Sequence, residues 1–160
     1  MADTDARPLP RSKAGMLVRR PAALVFAAFA DPAVTTQFWF TKSSGRLETG
    51  RQVMWEWEMY GMTIPVTVKA IEPERRIVIE WPGDEGHRTV EWRFTARQDG
   101  HTFVEISEMG FTAQGHELVD QVAGSTEGFT LVLAGLKAWL EHGIRLNLVA
   151  DRFPDGLPRE

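Results

Sequence analysis

Few side chains in this sequence are placed to do chemistry, and nearly all of them are carboxylates. Residues 54–59 read MWEWEM, with Glu56 and Glu58 set among large apolar neighbours. Two carboxylates in an apolar pocket can have their pKa values driven apart, so that one serves as acid and the other as base. Two residues apart on a β-strand, however, they share one face, and Trp55 and Trp57 take the other. The same alternation returns at Glu80, Glu91 and Arg93, predicting a charged outer sheet face laced by cross-strand pairs. Glu108 is oriented differently. In TFVEISE it is in phase with Val104 and Ile106, so it points inward if the strand lasts that far and reaches the wet rim if the strand ends first. Inside, it would orient a ligand hydroxyl or amine, or act as an acid or base.

The remaining reactive types are scattered. His87, His101, His116 and His142 fall on turns and helix ends without metal-ligand spacing, so no metal site is expected. Ser43-Ser44 and Ser125-Thr126 lack a nucleophile setting, and no phosphate-cradling glycine motif calls for a cofactor. Tyr60 alternates with the glutamates and is expected to be exposed at the rim.

The elements that would position these groups are legible from periodicity. GMLVRR (15–20) reads as a strand stopped by Pro21, which suits the first turn of a helix, PAALVFAAFA, with Leu24, Val25 and Phe29 near helical spacing. Asp31 would cap a second short helix, AVTTQFWF. Three adjacent rings, Phe38, Trp39 and Phe40, cannot all face inward on a helix, which leaves one as a gate or a dimer contact. From Gly45 to Phe111 the period is two. Val53, Trp55, Trp57 and Met59 share a face, then Ile64, Val66 and Val68, then Ile77, Ile79 and Trp81, then Val90, Trp92 and Phe94. Pro65 argues for an edge or a bulge. Short turns between such strands predict an antiparallel meander with one apolar face. Beyond Gly128, Phe129, Leu133, Leu136, Leu140, Ile144 and Leu148 trace a helical stripe that must pack on that face, with Gly135 and Gly143 weakening the helix slightly.

Composition bounds the function. A net charge of −4 argues against nucleic-acid binding, which needs a basic patch. No uncharged apolar run reaches membrane-spanning length, and MADTDARPLPRSKAG does not read as a signal peptide, so a cytoplasmic location is expected. The absence of cysteine excludes disulfides, thiolate metal sites and a cysteine nucleophile. Six tryptophans against one tyrosine suggest an interior of bulky rings, several with an N–H that needs a partner.

VFAAFADPAVTTQFWF, RIVIEW (76–81), TFVEISEMGF (102–111) and GFTLVLAGLKAWLEHG (128–143) together resemble the START-like (SRPBCC) superfamily. Within it they are similar to the branch named for the C-terminal domain of the activator of heat-shock-protein-90 ATPase. The resemblance runs from about residue 15 to 150. It implies an α+β helix-grip fold, with a curved antiparallel sheet wrapped around a long C-terminal helix and two short helices after the first strand. A tail over 1–13, a single domain over 14–150 and a C-terminal tail over 151–160 are expected. It also implies an apolar cavity between sheet and helix. Trp55, Trp57, Trp81, Trp92 and Phe94 would wall it, Phe129, Leu133 and Leu136 would close it, and Glu108 and Phe111 would sit at its end. The expected partner is a hydrophobic or aromatic small molecule. An enzyme using Glu108 in cyclase- or lyase-like acid–base chemistry is the alternative. A chaperone-associated protein is a third reading, set back because the family's eukaryotic members use a separate N-terminal domain for that role. A homodimer is compatible with the resemblance.

Overall fold

The computed structural model describes residues 8–158. Seven antiparallel strands form one curved sheet in the order β1-β7-β6-β5-β4-β3-β2. They are β1 (Arg11–Val18), β2 (Lys42–Ser43), β3 (Gln52–Trp57), β4 (Met62–Glu72), β5 (Arg76–Pro82), β6 (His87–Ala96) and β7 (Thr102–Met109). Two short helices, α1 (Ala22–Ala30) and α2 (Pro32–Thr35), follow β1. The long α3 (Gly115–His142) lies over the β1 end of the sheet, and α4 (Leu148–Arg152) follows it. This is the helix-grip arrangement. Among the described residues no helix is long and apolar enough to cross a membrane.

The inner sheet face is the expected apolar one. Val53, Trp55, Trp57, Val66, Val68, Ile77, Ile79, Val90, Trp92, Val104 and Ile106 are all buried. On the outer face Glu91 accepts from Arg76 Nε at 2.8 Å and from Arg93 Nε at 2.6 Å. Burial alone would raise the Glu91 pKa, but these two guanidiniums outweigh it and hold the carboxyl below its ordinary value.

The MWEWEM stretch departs from a simple strand. β3 ends at Trp57, and Glu58–Tyr60 form a single 3₁₀ turn closed by Gly61 in the left-handed conformation (φ 59°). The tight turn into β4 takes Glu58 off the strand face, where it pairs with Lys42 at 3.1 Å, and brings Met59 to the surface. It also rotates Tyr60 inward, so Tyr60 is half-buried rather than at an open rim. Pro65 pairs with Met54 of β3, while the β4–β5 ladder begins only at Thr67. That one-sided position tolerates a residue with no N–H to give.

The helices differ in extent from the sequence expectation. Pro21 caps α1 rather than opening it, and the buried residues are Val25, Ala28, Phe29 and Ala30, with Leu24 exposed. Asp31 does cap α2, accepting from Ala33 N at 3.0 Å. That helix ends at Thr35, whose hydroxyl turns back to Ala28 O at 2.5 Å. Phe38, Trp39 and Phe40 are therefore not helical, and the irregular backbone lets all three face inward and be buried. α3 starts thirteen residues before Gly128, with Val119 exposed, so its first half carries little apolar stripe to reveal it. It stops at Gly143 (φ 65°), leaving Ile144 exposed and Leu148 on α4. Gly135 marks a close approach rather than a weak spot, since a Cβ there would sit 3.2 Å from Phe38 Cβ. Of the tail expected over 1–13, residues 1–7 lie outside the described residues and Arg11–Lys13 belong to β1, where pairing with β7 orders them. In the stretch 151–160, Asp151 and Arg152 complete α4.

Candidate functional site

A cavity of about 340 Å³ opens between the sheet and α3, within the size range of small-molecule sites. Its apolar walls are Trp39, Trp81, Phe129 and Val132, with Val149 and Phe153 contributed from α4 and the residue after it. Trp81 and Phe129 lie nearly parallel, 6.0 Å between centroids and 15° between planes. Trp39 meets both edge-on, at 6.3 and 6.1 Å.

The polar wall is built around Glu108. β7 runs to Met109, so strand alternation carries Glu108 inward in phase with Val104 and Ile106, and it is only 3% exposed. Its two oxygens are held separately. Trp81 Nε1 donates to Oε2 at 2.6 Å, and the Ser125 hydroxyl donates to Oε1 at 2.7 Å. Ser12, the cross-strand neighbour of Glu108 on β1, has its Oγ 2.6 Å from that of Ser125. A carboxylate only accepts, so the Ser125 proton points to Glu108 and Ser12 must donate to Ser125. The chain Ser12→Ser125→Glu108 thus has one direction. Among the described residues the nearest cation is Arg88, whose Nη1 is 4.0 Å from Oε1 while its Nη2 lies 3.5 Å from Asp84.

At the other end, the Tyr60 hydroxyl donates to the Val149 carbonyl of α4, and Arg152 of α4 pairs with Glu127 of α3. Both contacts tie α4 to the cavity wall. Burial raises the Tyr60 pKa above its ordinary value, against the lowering influence of a backbone hydrogen bond and of Arg152. Since Tyr60 is the only tyrosine in the chain, phenolate absorbance reports it alone. It should titrate above the free phenol and, with a raised folded-state pKa, its contribution to stability is complete below the unfolded value and lost as pH rises through the folded one. The phenolate cannot donate to Val149, so hydrogen exchange in α4 should accelerate over the same pH window. An unshifted titration would contradict the burial of this hydroxyl.

The structure brings three of the residues singled out in the sequence, Trp81, Glu108 and Phe129, to the cavity. Trp55, Trp57, Trp92, Phe94, Leu133 and Leu136 lie in the packed core instead. Trp55, for example, is 1% exposed, with Phe40 stacked on its ring at 4.5 Å and 22°. Phe111 is half-buried beneath the Arg88 guanidinium, 4.3 Å from its ring centroid. Sequence reasoning passed over Ser125, Tyr60, Val149 and Phe153 as site residues. Ser125 had a signal: it stands one helical turn before Phe129, on the face that Phe129 and Leu133 continue. Val149 and Phe153 carry no such signal, because a turn-rich segment folds back only through tertiary contacts.

No curated protein matches this sequence. Among solved structures, a Staphylococcus saprophyticus protein is 30% identical, with 86% of this chain and 96% of that one aligned at a TM-score of 0.73. DynU16, a protein from the dynemicin biosynthetic locus, is 21% identical and aligns with 86% of this chain and 49% of its own, at a TM-score of 0.71. The Aha1 dimer from Colwellia psychrerythraea, 14% identical, aligns over 84% and 98% at a TM-score of 0.73 and shares the fold. Residues 19–141 match the family described as Activator of Hsp90 ATPase homolog 1-like protein, and on that span the chain belongs to this family.

Proposed function

We propose that this protein is a binding module for a hydrophobic or aromatic small molecule, held in the cavity between β5, β7, α3 and α4. The observation that carries the reading is the pairing of an aromatic wall with one buried, hydrogen-bonded carboxylate at its polar end. Apolar burial against Trp39, Trp81 and Phe129 would drive entry, and Glu108 would fix orientation. Glu108 reads as an anchor rather than a general base, because its two hydrogen-bond partners, Trp81 and Ser125, are neutral donors and neither is a second acid or base to relay a proton. That a protein of the dynemicin biosynthetic locus shares this fold accords with a small-molecule reading.

Native mass spectrometry of freshly purified protein tests it directly. An additional non-covalent mass of a few hundred daltons, about what such a cavity accommodates, is expected. No adduct, together with no tryptophan fluorescence change across a panel of hydrophobic compounds, would sink the proposal. The same spectrum reads the oligomeric state, for which the Colwellia dimer motivates a homodimer.

A further inference from the structure

We infer that the ligand of this cavity is a cation, specifically an apolar or aromatic molecule bearing a protonated amine that docks against Glu108. The inference rests on the small-molecule reading above and narrows it to one charge class. Three features of the site point the same way.

The first is the charge balance of the walls. The charged groups lining the cavity are Glu108, Glu127 and Arg152. Glu127 and Arg152 neutralise one another at the half-exposed mouth. Glu108 has no such partner in the wall. Its donors, Trp81 and Ser125, are both neutral. Arg88 lies outside the cavity walls, with Nη1 4.0 Å from Oε1 at the outer limit of an ion pair, while its Nη2 serves Asp84 at 3.5 Å and donates to Gln121 at 2.9 Å, so two carboxylates share one guanidinium. A negative charge therefore faces a low-dielectric space, where it attracts a cation and rejects a carboxylate or phosphate.

The second is the surrounding π-system. Trp39, Trp81 and Phe129 adjoin this space, and Tyr60 and Phe153 stand 6.3 Å apart at its α4 end. Aromatic faces stabilise a desolvated ammonium through their quadrupoles, and tryptophan does so best. Arg152 already uses Phe153 this way, with its guanidinium carbon 4.4 Å from the ring centroid.

The third is preorganisation. Glu108 is desolvated by the fold itself, at 3% exposure, and its orientation is fixed by the Ser12→Ser125→Glu108 chain. Binding an amine then requires desolvating one ion, not two. Each carboxylate oxygen retains acceptor capacity beyond the single bond it now makes. An ammonium offers three donors and a full charge to those positions, whereas a hydroxyl offers one donor and none.

The test compares three probes of nearly equal shape: 2-(2-naphthyl)ethylamine, 2-(2-naphthyl)ethanol and 2-naphthylacetate. Binding to the intact protein is measured by titration calorimetry near neutral pH in about 0.15 M salt, where the net charge of the surface is screened beyond roughly 8 Å. The amine is expected to bind at least about tenfold more tightly than the alcohol, as a charge-assisted bond outweighs a neutral one, and the acid more weakly than either. Glu108→Gln should shrink the amine-to-alcohol ratio toward one. The wild-type ratio decides the matter even if that variant folds poorly. Alcohol or acid binding as tightly as the amine would overturn the cation assignment while leaving the small-molecule reading intact. Failure of all three to bind, in protein that also carries no adduct by native mass spectrometry, would overturn both.

Discussion

Trp55→Ala is expected to lower the free energy of unfolding by about 3–5 kcal/mol, the range for removing a large buried aromatic. The urea midpoint should fall with little change in slope. The reasoning turns on how completely the space around Trp55 is filled. The indole is 1% exposed, stacked on Phe40 at 4.5 Å and met edge-on by Trp39 at 5.0 Å. Truncation there leaves a void that is hard to close, because β3 is held between β2 and β4 and the Phe38–Phe40 segment is anchored at its ends by Trp39 N to Thr35 O at 3.0 Å and Thr41 N to Glu56 O at 2.8 Å. Trp81 offers the contrast. It is half-buried and already borders open volume, so Trp81→Ala enlarges an existing cavity and should cost about 1–3 kcal/mol, including the lost bond to Glu108. Equal losses for the two variants would contradict the division between packed core and cavity wall. With the order reversed, the open volume would belong beside Trp55 rather than beside Trp81.

That division also marks what was legible from sequence. The strand period placed Trp55, Trp57, Trp81 and Trp92 on one face, because alternation is a property of the backbone and needs no knowledge of neighbours. Which of them pack and which border space depends on what lies opposite. Phe40 covers Trp55 because α2 stops at Thr35, and the sequence pattern continued that helix through the three rings. α3 was read from Gly128 because its first half has Val119 outward and few apolar residues. Ser125 was thereby left off the helix that presents it to Glu108. Glu108 itself came from alternation alone, but whether it was buried depended on β1 pairing alongside β7 as far as Arg11–Met109, a contact nearly a hundred residues apart in sequence. The α4 end of the cavity rests on the Tyr60–Val149 and Arg152–Glu127 contacts, both long-range, and nothing local announces either.

The largest effect at the site itself is expected from Glu108→Leu, which keeps the volume and removes both acceptors. Trp81 Nε1 and the Ser125 hydroxyl then lose their partner in a part-buried setting, and Ser12 is left donating into a chain with no terminus. Each orphaned donor costs about 1–3 kcal/mol, while removing a buried carboxylate recovers some of its own desolvation cost. The net loss should be about 2–4 kcal/mol by urea denaturation. A multiple variant separates the causes. If the loss comes from orphaned donors, adding Ser125→Ala and Ser12→Ala to Glu108→Leu should recover the serines' share of it and leave only that of Trp81 Nε1, although both serine substitutions are destabilising in the wild-type background. Such a sign change is the signature of coupled groups, since independent sites add within about 0.3–0.5 kcal/mol. If the three losses simply summed, Ser12, Ser125 and Glu108 would not be acting as one chain. The carboxylate would then lack the fixed orientation that the amine-binding inference requires, because a Glu108 free to rotate could close the present 4.0 Å gap to Arg88 and spend its charge there.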